Sequence, residues 1–120
     1  MKYLIFDQAQ THLKLGKTIE QWIGAEEKDD YVILKWVTIS REKDNLYIVG
    51  YTECFDEGNE DFIDIYAFSA VDPDEPFGIF NQFSSALEAI EFSLNKYGLS
   101  KDRFLNSGMI QEEYLSYLKS

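Results

Sequence analysis

The sequence predicts an α+β fold: an antiparallel β-sheet of four to five strands, arranged as a meander and packed against C-terminal helices. Three observations carry this expectation. Between residues 31 and 71 lie three runs dense in β-branched and aromatic residues, separated by polar breaks. After Phe83 the apolar period changes from two to about 3.6, with Leu87, Ile90, Leu94 and Tyr97 on one stripe. The chain has 120 residues, 45% of them apolar and 16% aromatic, which is enough for one core and too few for two, so 1–120 is expected to be a single domain.

Tyr3 to Phe6 reads as a short strand or as the first turn of a helix. Residues 12–24 are open to both readings. Ile19, Trp22, Ile23 and Glu26 fall at helical spacing behind a Thr18/Gln21 imitation of a capping box, whereas Leu13, Leu15, Ile19 and Ile23 suit an extended chain. For residues 12–15 the strand is preferred. After the polar break at Ala25–Asp30, Tyr31–Ile39 is a strand with only Lys35 charged, as expected where both faces are largely covered. Arg41–Asn45 makes a hairpin connection, and Leu46–Phe55 and Phe62–Val71 are the next two strands of the meander. Between them, Gly58-Asn59 supplies a pair tolerant of positive φ for a hairpin tip. A stiff acidic loop, Asp72-Pro73-Asp74-Glu75-Pro76, leads to a fourth strand at Phe77–Phe83. A helix over 85–97 is bounded by a Ser85/Glu88 capping box and by Gly98, and Ser100 caps a short turn near Phe104 and Leu105. Ile110, Tyr114 and Leu118 define the last helix.

Charge is the most informative feature. The net charge is −11, yet residues 1–43 hold seven acids and seven bases, and residues 96–120 hold three acids and four bases. From Asp44 to Asn95 there are twelve acids and no Lys or Arg. Solubility alone does not require such an exclusion, whereas a surface that meets a basic partner does, because a like charge facing that partner costs binding energy. The same arithmetic argues against direct nucleic-acid binding, which needs clustered Lys and Arg, and against adsorption to an anionic membrane. The short apolar run at Met1–Asp7 and the lack of any stretch long enough to span a bilayer lead us to expect a cytoplasmic protein. Cys54 is the only cysteine, so no intramolecular disulfide forms.

Motifs for chemistry are incomplete. Gly16-Lys17-Thr18 ends like a P-loop, but Thr11 stands where its first glycine belongs. Asp56–Asp61 has oxygen ligands without the spacing of a calcium loop, and neither histidine nor cysteine accompanies Asp72, Asp74 and Glu75. His12 and Cys54 are each the sole residue of their kind, and a strand cysteine is more often a small buried hydrophobe than a nucleophile. Carboxylates are plentiful, but no catalytic pair stands out. No enzymatic activity, metal or cofactor is therefore expected.

Strand alternation puts Tyr47, Val49, Tyr51, Glu53 and Phe55 on one side, and Phe62, Asp64, Tyr66 and Phe68 together on a side of the next strand. A sheet face mixing aromatic residues with acids suits a partner interface. In size, in acidity confined to one segment, and in the run Phe80-Asn81-Gln82-Phe83-Ser84-Ser85-Ala86-Leu87-Glu88-Ala89-Ile90, a strand feeding a capped helix, the chain resembles the small acidic immunity proteins of bacterial polymorphic-toxin and contact-dependent growth inhibition systems. That resemblance implies a cytosolic protein that binds the toxic domain of a cognate effector, often a basic nuclease, and blocks its active site or substrate groove. In such a complex Glu53, Asp56, Glu57, Glu60, Asp61, Asp64, Asp72, Asp74 and Glu75 would steer, and Tyr51, Phe55, Phe62 and Tyr66 are the candidate anchors. The alternatives are a small hydrolase or ligand-binding enzyme using clustered carboxylates, and an acidic adaptor or DNA mimic.

Overall fold

The computed structural model describes residues 3–74 and 78–120, so Glu75, placed above among the steering acids, lies outside the described residues. The chain forms helix α1 (Phe6–Lys14), strands β1 (Ile19–Glu27), β2 (Val32–Arg41), β3 (Tyr47–Phe55) and β4 (Ile79–Phe83), helix α2 (Ala86–Tyr97), the two-residue strand β5 (Leu105–Asn106) and helix α3 (Ile110–Lys119). The sheet order is β4-β3-β2-β1-β5, antiparallel throughout. This is the expected α+β meander.

Local chemistry explains the elements that match expectation. Ser85 Oγ accepts the Glu88 amide at 3.1 Å at the start of α2, and Gly98 ends that helix in the left-handed region at φ 67°. The β2–β3 hairpin turns through Asp44 and Asn45, at φ 63° and 58°, and closes with the Glu42 amide donating to the Leu46 carbonyl at 2.7 Å. Two consecutive positive φ values match the right-handed twist of the flanking strands, and Asp and Asn tolerate them better than other non-glycine residues.

Four expectations are corrected. Residues 12–14 are helical and not extended. Ala9 and Leu13, four apart, are fully buried, and that helical contact outweighs the alternating pattern of Leu13 and Leu15, the latter exposed. Phe62–Val71 forms no strand. It is an irregular segment with a short 3-10 turn at Ile65–Ala67, whose backbone pairs with the sheet through a single bridge between Cys54 and Ala70. Beside β3 the position is taken by β4, from Tyr47↔Phe83 to Tyr51↔Ile79, which leaves no ladder for 62–69. Gly58-Asn59 is not a positive-φ hairpin tip; the tight turn falls two residues later, around Glu60-Asp61, with Asn59 and Phe62 exchanging backbone hydrogen bonds at 3.1 and 3.0 Å. The stretch near Phe104 is extended, with Leu105 and Asn106 supplying the fifth strand against β1.

Helices cover both faces of the sheet, where the sequence suggested one. On the first face Ile19, Val37, Ile39, Tyr47 and Val49 lie under Ala9 and Leu13 of α1 and Ala86, Ala89 and Ile90 of α2. On the second, Leu34, Trp36 and Cys54 meet Ile110 and Tyr114 of α3 and Ile65 and Phe68 of the 3-10 turn. A bulge at Ile23 in β1 reconciles the two layers. It returns Ala25 to the α3 side, where Trp22 already sits, while Ile23 joins the α1–α2 side. No helix among the described residues is long and apolar enough to cross a membrane.

Candidate functional site

β3 and β4 are hydrogen-bonded neighbours, yet residues 56–78 separate them in sequence. Antiparallel neighbours need only a tight turn, and a long excursion in that place is more often functional than structural. It begins at one end of the sheet, where the Phe55 amide donates to Ser69 and the Val71 amide to Glu53, at 2.9 and 3.1 Å. It crosses the α3 face and carries most of the acids singled out from the sequence.

These acids divide into two groups. Asp56, Glu57, Asp64 and Asp72 hold the excursion together. Asp56 Oδ1 accepts the Gly58 amide at 3.2 Å and the Tyr114 hydroxyl of α3. Glu57 Oε1 accepts the Ser69 amide at 2.7 Å, Asp64 Oδ1 accepts from Gln111 Nε2 at 3.3 Å, and Asp72 Oδ1 accepts the Asp74 amide at 2.9 Å. Glu60, Asp61 and Asp74 are different: they are exposed, and their carboxylates make no hydrogen bond or ion pair among the described residues. The ion pairs among the described residues lie elsewhere, with Glu26 held by Lys28 at 2.6 Å and Lys35 at 2.7 Å, and Glu113 beside Arg103 at 3.9 Å. Hydrogen bonds from those two lysines, with their charge, pull the Glu26 carboxyl down to about 2.

The candidate anchors are split by the sheet. Tyr51, Glu53 and Phe55 point to the α1–α2 side. Tyr51 stacks on Tyr97 of α2 at 4.6 Å, its hydroxyl donates to Glu53 at 2.6 Å, and Phe55 meets Tyr31 edge-on at 5.5 Å. Burial, with Glu53 close by, pushes the Tyr51 phenol well above its ordinary range. Phe62 and Tyr66 are on the α3 side, where Phe62 packs on Phe68 at 5.8 Å and Tyr66 meets Trp36 edge-on at 5.2 Å. The single sheet face combining all four aromatics, expected from alternation, is therefore not formed, because 62–68 is not a strand. Glu53 and Asp72 do come together, around a small depression at the β3 edge.

Two features escaped the sequence reading. Glu20 of β1 is buried, and its Oε1 accepts the Tyr66 hydroxyl and the Gly108 amide, both at 2.8 Å. Burial raises its carboxyl above the ordinary 4.5, and the Tyr66 and Gly108 hydrogen bonds oppose that rise. The second is a cavity of about 310 Å3 between sheet and excursion. Thr38, Gly50 and Thr52 form its floor, Ile65 and Tyr66 lie across it, and Phe80 of β4 stands at its side. Gly50 was the available clue, since glycine inside a strand marks a close approach: a Cβ there would stand 3.0 Å from the Phe80 ring.

Fold and site together define an α+β protein whose β3–β4 excursion presents unpaired carboxylates beside exposed aromatic rings. Comparison with known proteins adds no name to that class: no family model, curated protein or solved structure matches the chain.

Proposed function

We propose that the chain is a binding protein of the inhibitory kind, an immunity protein that neutralises a cognate bacterial toxin domain with a basic surface. The carrying observation is that Glu60, Asp61 and Asp74 are exposed carboxylates without partners among the described residues, on the same excursion as the 48% exposed Phe62. A basic cleft built for phosphate attracts such a lobe over distances up to about a Debye length, which raises the association rate, and an aromatic ring seated in the partner slows release. Lys and Arg are absent from the whole stretch between Asp44 and Asn95, so nothing on the excursion repels a cationic visitor. The cytoplasm is the compartment in which such an inhibitor meets its toxin, and no catalytic step, metal or cofactor enters this reading.

The test is a kinetic one, using a candidate toxin domain sought among the genes neighbouring that of this chain, and a variant carrying Glu60→Lys, Asp61→Lys and Asp74→Lys. Glu57 is left intact because its carboxylate holds Ser69, and reversing it would disturb the excursion itself. Association of the triple variant is expected to slow by about tenfold or more at low salt and to lose most of its salt dependence, with dissociation changed less. Association unchanged by the triple reversal removes the lobe from the mechanism. Failure of the wild-type chain to bind that domain or protect cells from it overturns the immunity reading as a whole.

A further inference from the structure

The cavity beneath the excursion has no part in electrostatic docking, and its chemistry differs from that of the lobe above it. Its volume of about 310 Å3 is at the lower end of the range for small-molecule sites. Among the described residues no ionised side chain lines it; the walls are Trp36, Tyr66, Phe68 and Phe80, with hydroxyls from Thr38 and Thr52. Trp36 is 8% exposed, and its buried indole Nε1–H finds no oxygen or nitrogen acceptor among the described residues, only the Cys54 sulfur beside it. The neighbouring Cys54 thiol is only a weak acceptor, and burial raises its own pKa to about 11. A buried donor left without an acceptor is costly, and the great majority of such groups in folded proteins are satisfied.

We propose that this cavity binds a small, uncharged, two-ring aromatic molecule carrying one hydrogen-bond acceptor. The rings supply flat surfaces for offset or edge-on contact. The indole N–H supplies the donor that orients the acceptor. The strongly acidic surroundings repel an anion, and the described lining residues give a cation no counter-charge within the cavity, so the ligand is neutral. Gly50 makes the site possible, because with no side chain between them Phe80 lies close against β3 and walls one side. The site is independent of the toxin-binding reading and stands or falls separately from it.

Prodan, a neutral dimethylaminonaphthalene ketone whose emission reports its surroundings, serves as the probe. Titrated into the full chain, it is expected to shift to the blue and to saturate at one probe per chain. Trp36→Phe keeps a ring in place but removes the N–H, and is expected to weaken prodan by about tenfold. The same naphthalene without its ketone is expected to bind both proteins equally. Thr52→Trp fills the cavity and is expected to abolish the shift, with circular dichroism establishing that the variant is folded. No saturable shift with the wild-type chain overturns the proposal. So does a shift that Trp36→Phe leaves undiminished, since the donor then orients nothing.

Discussion

The hydroxyl of Tyr66 donates to Glu20 Oε1 at 2.8 Å, and the same oxygen takes the Gly108 amide at 2.8 Å, so one buried carboxylate on β1 ties the acidic excursion to the entrance of α3. The N-cap residue of α3, Met109, provides no side-chain hydrogen bond of its own. A carboxylate facing the first amides of a helix satisfies groups the helix leaves open and complements its dipole. Glu20→Ala strands both donors and is expected to cost about 2 kcal/mol in urea denaturation, whereas Tyr66→Phe, at a half-exposed ring, is expected to cost about 1 kcal/mol. Because the two residues share a bond, the double variant should cost less than the sum. Strict additivity would show that the pair does not act as one tie.

The same carboxylate sets a pH dependence. Burial, the largest influence on Glu20, raises its folded-state pKa above 4.5, and the Tyr66 hydroxyl and the Gly108, Ile110 and Met109 amides oppose the rise. Below pH 4.5 the group is protonated in both folded and unfolded chains, and its contribution to stability is complete. As pH rises past 4.5 the unfolded chain releases its proton first, and the contribution falls until the folded group has also ionised. Stability measured against Glu20→Gln at a series of pH values should therefore show the wild type losing ground as pH climbs from 4.5. A difference constant across that range would mean the folded and unfolded carboxyls titrate alike.

Cys54 is 2% exposed, and burial lifts its thiol to about 11. The thiolate is the reactive form, and only about one thousandth of such a thiol is ionised near pH 8. A dithionitrobenzoate reagent is expected to label the native chain slowly, at a rate that climbs with urea along the unfolding transition. Rapid stoichiometric labelling in native buffer would place the sulfur at the surface.

The elements legible in the sequence are those whose signals are local. Ser85, Glu88 and Gly98 bound α2 within one stretch of chain, and the density of branched and aromatic residues in 31–39 and 46–55 is enough for two strands. The stretch 62–71 misled because Phe62, Ile63, Ile65, Tyr66 and Phe68 are apolar on both parities, and because β4, distant in sequence, occupies the edge of β3. α1 was misjudged because Leu13 is buried by α2 and the sheet, neither of which its neighbours announce. The acids follow the same rule. Asp72 accepting from Asp74 is a local turn that Asp72-Pro73-Asp74 advertises, whereas the Asp56 bond to Tyr114 spans fifty-eight positions and has no local trace. The cavity was invisible because Trp36, Gly50, Tyr66 and Phe80 come from four separate segments.

Gly58 provides the sharpest test of how the excursion is packed. Its φ is not left-handed, so backbone freedom does not explain the glycine. What matters is the missing side chain: a Cβ there would press on the Phe62 carbonyl oxygen and stand 2.6 Å from the tip of the Phe68 ring and 2.9 Å from the Tyr114 hydroxyl. Alanine for glycine at an unstrained site ordinarily stabilises, by about 0.4–1 kcal/mol, through the unfolded chain. Here the sign should reverse, since forcing atoms into a filled space costs about 1–3 kcal/mol. The clash also falls on the hydroxyl that Asp56 accepts, so α3 and the root of the acidic lobe loosen together. Gly58→Ala is expected to lower stability by about 2 kcal/mol and to speed proteolytic cutting within 56–74. Phe68→Leu added to it removes the nearest ring atom and should recover part of the loss. A Gly58→Ala chain as stable as the wild type would mean that the excursion yields at no cost and is not held against Tyr114 as described.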